Sequence, residues 1–268
     1  MTADVPARPL ARRRWSPTVR YRRSLWLLTT RDLKVRYSTS ALGYLWSIVD
    51  PLVMSAIYWF VFTQVFGRVG HDPYIVFLLA ALLPWMWFNG TISDTTRAFT
   101  REAKLIRSTT IPRTIWVARL VLSKGIEFLL SIPVIVLFVV VFGADLHLEA
   151  LWWIPAILLQ LGLTFGIGLL VAPLVVFFRD LERVVKLVLR FLFYASPIIY
   201  GISDLPPALH VWAAFNPLAG IFSMYRAAFF PQELDLFAVG VSAAMTVVFL
   251  VVGFLVYRAG IRRVLKEI

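Results

Sequence analysis

Three carboxylates, Asp50, Asp94 and Glu127, fall within or at the edges of long apolar runs. A carboxylate left alone in lipid costs several kcal/mol, so each of them needs a protein partner or water. Lys124 lies three residues before Glu127, and the pair can share one face of a helix. No two membrane-facing acids resemble a proton relay. The chain has no cysteine, hence no thiol nucleophile and no disulfide framework. His71, His147 and His210 are too scattered to form a ligand motif. Neither G-x-x-x-x-G-K-[ST], H-E-x-x-H nor G-x-S-x-G occurs. What the residues offer is electrostatic. The segment from Arg97 to Lys124 carries Arg101, Lys104, Arg107, Arg113 and Arg119 against a single acid, Glu102. It lies between two apolar runs, and its charge places it on the cytoplasmic side of a bilayer. Within a segment 100–113, residues 100–110 are long enough for a short helix, and Pro112 ends it or restarts the chain after it. That helix suits a soluble partner that delivers force, and equally a solvated loop with no partner.

The elements that must hold these residues are membrane helices. The chain has 268 residues, 60% apolar and 16% charged, against about 45–50% and 25% for soluble domains. Spans are expected at about 46–66, 74–99, 115–142, 151–178, 184–200 and 236–257, giving an all-α integral membrane protein of six transmembrane helices. The net charge of +12 would suggest nucleic acid in a soluble protein. Here all Lys and Arg except Arg68 and Arg226 fall at one side of the predicted spans, so topology explains the charge and no nucleic-acid partner is expected. Both termini are then cytoplasmic. Residues 1–18 read as a flexible cytoplasmic tail without a cleavable signal peptide, and 19–268 as one transmembrane domain.

Tyr21, Leu25, Leu28 and Leu33 recur near helical spacing between arginines, which predicts an amphipathic helix in the inner interface over 19–37. Gly162, Gly166 and Gly168 give span four a face for close helix packing. From Gly201 to Gln232 the chain is apolar but broken by Pro206, Pro207, Asn216, Pro217, Gly220 and Pro231. Two short re-entrant or outer gate helices are expected there, because broken backbone at membrane depth requires cover from protein or an aqueous cavity. No convincing inverted repeat supports gradient-driven transport. An energised role would therefore need ATP hydrolysis on another chain.

Several motifs then fall into a recognisable order. Arg36-Tyr37-x-x-Ser40-x-Leu42-Gly43-x-Leu45-Trp46 leading to Pro51, Pro84-Trp85-x-x-Phe88, Leu105-Ile106-Arg107 with Pro112-Arg113, Phe178-Arg179-Asp180, Ser196-Pro197-Ile198-Ile199-Tyr200, Asn216-Pro217 and Tyr225-Arg226 together resemble the ABC-2-type permeases of polysaccharide, O-antigen and teichoic acid export. The resemblance covers roughly residues 25–260, and the excess of arginine over lysine points among them to actinobacterial galactan exporters. It implies a homodimer with two copies of a separate ABC nucleotide-binding protein, which binds ATP and Mg²⁺; no cofactor is expected in this chain. It implies a lipid-linked polysaccharide, on a polyprenyl diphosphate, moved outward across the bacterial plasma (inner) membrane. Glu102, Leu105, Ile106, Arg107, Pro112 and Arg113 would couple to the ATPase, with Leu105 and Ile106 as apolar knobs. Arg36, Tyr37, Arg179, Asp180 and Arg190 would form the cytoplasmic mouth. Tyr58, Trp59, Phe62, Phe191, Tyr194 and Tyr200 would line the conduit, and Asn216, Pro217 and Arg226 the outer gate. No catalytic or metal-binding residue is assigned. An ABC-2 exporter of lipid or drug, and a membrane-embedded glycan-processing enzyme, are the competing readings.

Overall fold

A computed structural model describes residues 16–38, 43–65 and 72–267, with only the backbone of Tyr37, Tyr44 and Ser47. Most of the expected tail, together with Ser40, Leu42, Phe66, Arg68 and His71, lies outside the described residues. Within them all regular structure is helical. Helix α1 (Pro17–Tyr37) starts where the Ser16 hydroxyl accepts the Val19 N–H and Pro17 occupies the first turn, where its missing donor costs nothing. Helix α2 (Trp46–Phe60) widens into a π turn at Val61–Val65, and α3 (Tyr74–Thr95) leads into the short α4 (Ala103–Ser108). Helix α5 (Ile115–Phe142) closes on Gly143, whose φ of +66° is left-handed and whose N–H returns to the Val139 carbonyl. Then come α6 (Trp153–Phe177), α7 (Leu181–Ala195), α8 (Pro207–Ala214), α9 (Ala219–Ala227) and α10 (Leu236–Glu267).

Among the described residues, five stretches are long and apolar enough to cross a membrane: Ile48–Val65, Tyr74–Thr95, Ile115–Phe142, Leu148–Phe177 and Leu236–Glu267. The span expected at 184–200 takes a different form. Helix α7 has 15 residues, and a helix of that length rises only about 22 Å, short of a hydrocarbon core of about 30 Å. It stops at Ser196-Pro197, and residues 196–200 continue without helix. Arg183, Lys186 and Arg190 are exposed on it while Leu189 and Phe193 are buried, so it is amphipathic rather than uniformly apolar. The two short helices expected between 201 and 232 are α8 and α9. Helix α10 runs unbroken to Glu267, past the boundary expected at 257.

Helix α3 is the axis of the bundle. It is apolar all round, and nearly every side chain from Tyr74 to Phe88 is buried by its neighbours α2, α5, α6, α7 and α9. Gln160 of α6 donates to the Pro84 carbonyl at 2.7 Å, a polar tie between two apolar helices. Helix α1 packs on the basic end of α5: Tyr21, Leu25 and Leu28 join Phe99, Ile106, Ile115 and Trp116 in a second core.

The longest contact, between α6 and α10, depends on glycines. A Cβ on Gly253 would lie 2.1 Å from the Gly166 carbonyl oxygen, and one on Gly166 would lie 2.6 Å from the Phe249 carbonyl carbon. Both obstacles are backbone, so the helices would have to separate and lose packing along their length. Gly253→Val is therefore expected to lower the melting temperature and the yield of monodisperse protein. Gly240, beside which a Cβ meets nothing within 4 Å, is the control. Equal melting of Gly253→Val and Gly240→Ala would refute this account of the contact.

Candidate functional site

The basic end of the bundle is tied by ion pairs that α1 delivers. Arg31 of α1 donates to Glu102 at 2.6 Å, and the next residue, Asp32, accepts from the buried Arg119 of α5. Arg119 Nη2 also lies 3.7 Å from Glu102. One turn further along α1, the Arg36 guanidinium reaches both α3 and α5: Nη2 donates to Asp94 at 2.9 Å, and Nη1 to the two oxygens of Glu127 at 2.8 and 3.0 Å. Lys124 adds the expected bond to Glu127 at 2.9 Å. Asp94 and Glu127 thus find protein partners. A cleft of about 470 Å³ opens here between Arg31, Arg36, Arg97, Arg101, Asp94 and Glu102.

The coupling segment is built as two faces. Glu102 and Ile106, four apart, turn inward, Glu102 to the ion pairs and Ile106 to complete burial in the second core. Ile106 therefore anchors the segment to its own chain and cannot be a knob for a partner; Leu105 beside it is half-buried. Arg101, Lys104 and Arg107 are exposed on the opposite side, as is Pro112. Arg113 serves the loop itself, donating to the Thr109 and Ile111 carbonyls at 2.8 and 2.9 Å. Of the two arginines expected to couple to the ATPase, Arg107 and Arg113, Arg107 is the one that faces outward.

At the turn between α6 and α7, Arg179 and Asp180 are exposed, and the Asp180 carbonyl accepts the first N–H bonds of α7. The side-chain link to the rest of this end comes from Glu182, which accepts from Arg97 and, at 2.7 Å, from Lys186. These two bonds, Arg97's first, hold the Glu182 carboxyl down at about 2. A depressed carboxylate contributes stability above its unfolded value of about 4.3 and loses it as pH falls toward 2, so the link between the end of α3 and α7 is complete at neutral pH. Arg190 is exposed on α7 and makes none of the Arg36 bonds.

The proposed conduit residues fall into four groups. Tyr58 and Phe62 are half-buried, with Tyr58 5.7 Å from Phe193 and Phe62 6.3 Å from Tyr74. Trp59 packs instead toward Phe142, 6.5 Å away. Phe191 and Tyr194 are 70% and 65% exposed on α7. Tyr200 donates its hydroxyl to the Tyr194 carbonyl at 3.0 Å. Phe193, absent from the expected set, is the ring on which Tyr58, Trp85 and Tyr194 converge.

Two of the residues expected at the outer gate, Asn216 and Arg226, act on the break after α7. Asn216 donates to the Ser196 hydroxyl at 2.8 Å and to the Ala195 carbonyl at 3.3 Å. Arg226, 2% exposed, donates to the carbonyls of Ile198 at 2.7 Å, Tyr200 at 3.0 Å and Phe77 at 3.3 Å. Its guanidinium lies 3.7 Å above the Phe77 ring, and Glu233 is 3.9 Å away. The Tyr74 hydroxyl takes the Ile199 carbonyl at 3.0 Å. The carbonyls of Tyr194, Ala195, Ile198, Ile199 and Tyr200 are thereby met, as backbone buried away from water requires. Pro217, half-buried, joins α8 to α9. Sequence reasoning missed Arg31, Asp32 and Arg119. Arg119, a charge inside the apolar run W-V-A-R-L-V-L, was the available signal.

The fold and its charge network define a multi-pass, all-α membrane transport domain. Residues 23–230 match the family model for the ABC-2 type transporter, and the chain belongs to that family. Permeases of this family work with ATP-binding partners. The chain is 38% identical to an O-antigen export system permease protein RfbA of Klebsiella pneumoniae, over 86% of this chain and 89% of that one. It is 29% identical to the RfbA of Myxococcus xanthus, over 80% and 83%. With the polysialic acid transport protein KpsM of Escherichia coli it shares 27% identity over 86% and 91%.

Proposed function

We propose that this chain is the permease subunit of an ATP-driven exporter that moves a polyprenyl-diphosphate-linked polysaccharide from the cytoplasm to the outer face of a bacterial inner membrane. The observation that carries this reading is similarity along almost the full length of permeases whose names state O-antigen export. The working unit is a homodimer with two copies of an ABC nucleotide-binding protein, which supplies ATP and Mg²⁺. Both termini and the α4 segment face the cytoplasm, where the concentration of Lys and Arg puts them. Arg101, Lys104 and Arg107 meet the ATPase, the cleft beside Arg36 receives the diphosphate, and the glycan passes the rings of α2 and α7. The cargo is a glycan class rather than galactan in particular. Inducible depletion followed by analysis of lipid-linked glycans tests the reading. One carrier-linked polymer should accumulate inside the cell, and an unchanged glycan pool would refute export.

Aromatic rings suit such a path because they are rigid and offer apolar faces to sugar C–H groups. The exposed rings Phe191 and Tyr194 are the strongest conduit candidates, since neither is needed for the buried core. Phe191→Ala with Tyr194→Ala is expected to slow export several-fold while the complex and its ATPase activity persist. Wild-type export rate and chain length in that double variant would place both rings outside the path.

A further inference from the structure

A second, smaller cavity lies beside the Arg36 network, between α2, α3 and α5. It measures about 120 Å³, the room of roughly four waters, and is lined by Trp46, Asp50, Trp87, Lys124, Glu127 and Ser131. Lys124 and Glu127 sit nine and twelve residues into α5, about 14 and 18 Å along it. Charged side chains inside a membrane bundle are costly and need a functional account. Glu127 is paired with Arg36 and Lys124, whereas Asp50, exposed at the mouth of the cavity near the start of α2, makes no hydrogen bond or ion pair among the described residues and its carboxylate is open to a ligand. Trp46 at the rim is 41% exposed, whereas Trp87 is 3% exposed and already donates its N–H to the Val121 carbonyl.

We propose that this cavity is a subsite for the carrier-proximal sugar, with Trp46 stacking on the pyranose face and Asp50 and Glu127 accepting its hydroxyls. The proposal rests on the export reading above. Its chemistry follows from charge and shape. The neighbouring cleft sets Arg31, Arg36, Arg97, Arg101 and Arg119 against Asp32, Asp94 and Glu102, a positive balance suited to a diphosphate. With Arg36 bonded to Glu127, the cavity sets two carboxylates against two cations, Arg36 and Lys124, so it lacks the positive excess of the cleft and suits a neutral polyol. A metal ion is disfavoured by the Lys124 ammonium in the same wall. Arg36 bonds to Asp94 in the cleft and to Glu127 in the cavity, so the two compartments adjoin as a diphosphate and its first sugar do. The volume admits the hydroxyl-bearing edge of one ring, not a polymer. The site would therefore select on the first residue and leave the rest of the chain unread. Hydroxyls that a site is built to bond give strong discrimination, because their absence leaves buried polar groups unpaired.

The test uses the permease assembled with its ATP-binding partner in nanodiscs. Calorimetry would compare bare farnesyl diphosphate with farnesyl diphosphate bearing glucose, galactose or N-acetylglucosamine. One sugar-bearing probe should bind about tenfold tighter than the bare diphosphate, a difference of about 1.4 kcal/mol. Asp50→Asn and Trp46→Ala should each bring that ratio close to one, and Trp46→Phe should keep part of it. Equal binding of all four probes by the wild-type complex would overturn the proposal, as would an unchanged ratio in Asp50→Asn. Dissociation of the permease dimer in Asp50→Asn would also overturn it, assigning the carboxylate to the contact between copies. Sugar-blind binding in cells that still accumulate glycan on depletion would sink this subsite alone. An unchanged glycan pool would sink the export reading instead.

Discussion

Arg226→Ala is expected to remove most folded, monodisperse protein from detergent extracts and to abolish export. The guanidinium is buried, lies over Phe77, and satisfies the Phe77, Ile198 and Tyr200 carbonyls. Alanine would leave those carbonyls without that donor and would remove a cation 3.9 Å from Glu233. Removing one partner of a buried charge pair costs on the order of 3–5 kcal/mol, a large share of a typical folding free energy. Arg226→Lys separates charge from geometry. An ammonium retains attraction to Glu233, but it is a point donor without the planar fork that spreads over three carbonyls. It should recover part of the thermal stability and less of the export. Melting temperature in detergent and glycan at the outer face are the two measurements. Wild-type values of both in Arg226→Ala would show that the break after α7 does not need this clamp.

Why that clamp was only half legible follows from what a sequence displays. Arg226 stands out as a cation amid apolar residues, and the prolines and Asn216 around it mark broken helices. The physical demand on those breaks, carbonyls that must be satisfied at membrane depth, could be stated in advance. Which carbonyls Arg226 would serve could not, because Phe77 is 149 positions away and Ile198 is 28. Local pairs were easier: Lys124 and Glu127 share a helix face, so spacing alone predicts their bond. The same limit explains α7. Residues 184–200 look apolar enough to span when counted as one run, but Pro197 cannot continue the helix and the arginines claim one face. For α4, length and charge were readable, whereas its orientation depended on a distant core. Ile106 turns inward because Leu28 of α1 and Trp116 of α5 build a pocket for it. That contact reverses its expected role.

The other large effect is expected at the proposed coupling segment, where an exposed basic face and an inward, ion-paired face lie on opposite sides of one short element. Arg101, Lys104 and Arg107 recur at three-residue spacing and are exposed, so a partner that docks there meets a basic strip. Such charge selects an acidic receiver, and juxtaposed like charges cost several kcal/mol. Reversing all three to Glu should therefore prevent co-purification of the ATP-binding partner and bring export to background, with the permease still folded because none of the three belongs to a core. Arg113 is excluded from this set: its reversal would uncap Thr109 and Ile111 and confuse misfolding with lost docking. On the inner face, Glu102 receives Arg31 and lies near Arg119, which in turn holds Asp32. A push on α4 would thereby reach α1 and α5 through these ion pairs. Glu102→Gln leaves the basic strip intact and weakens that connection. It should keep the ATPase bound and hydrolysing while glycan export falls, a separation that simple loss of docking cannot produce. Pull-down, ATPase rate and outer-face glycan measured on the same preparations decide the matter. Intact co-purification after the triple reversal would move the docking site elsewhere, and full export by Glu102→Gln would remove these ion pairs from the transmission path.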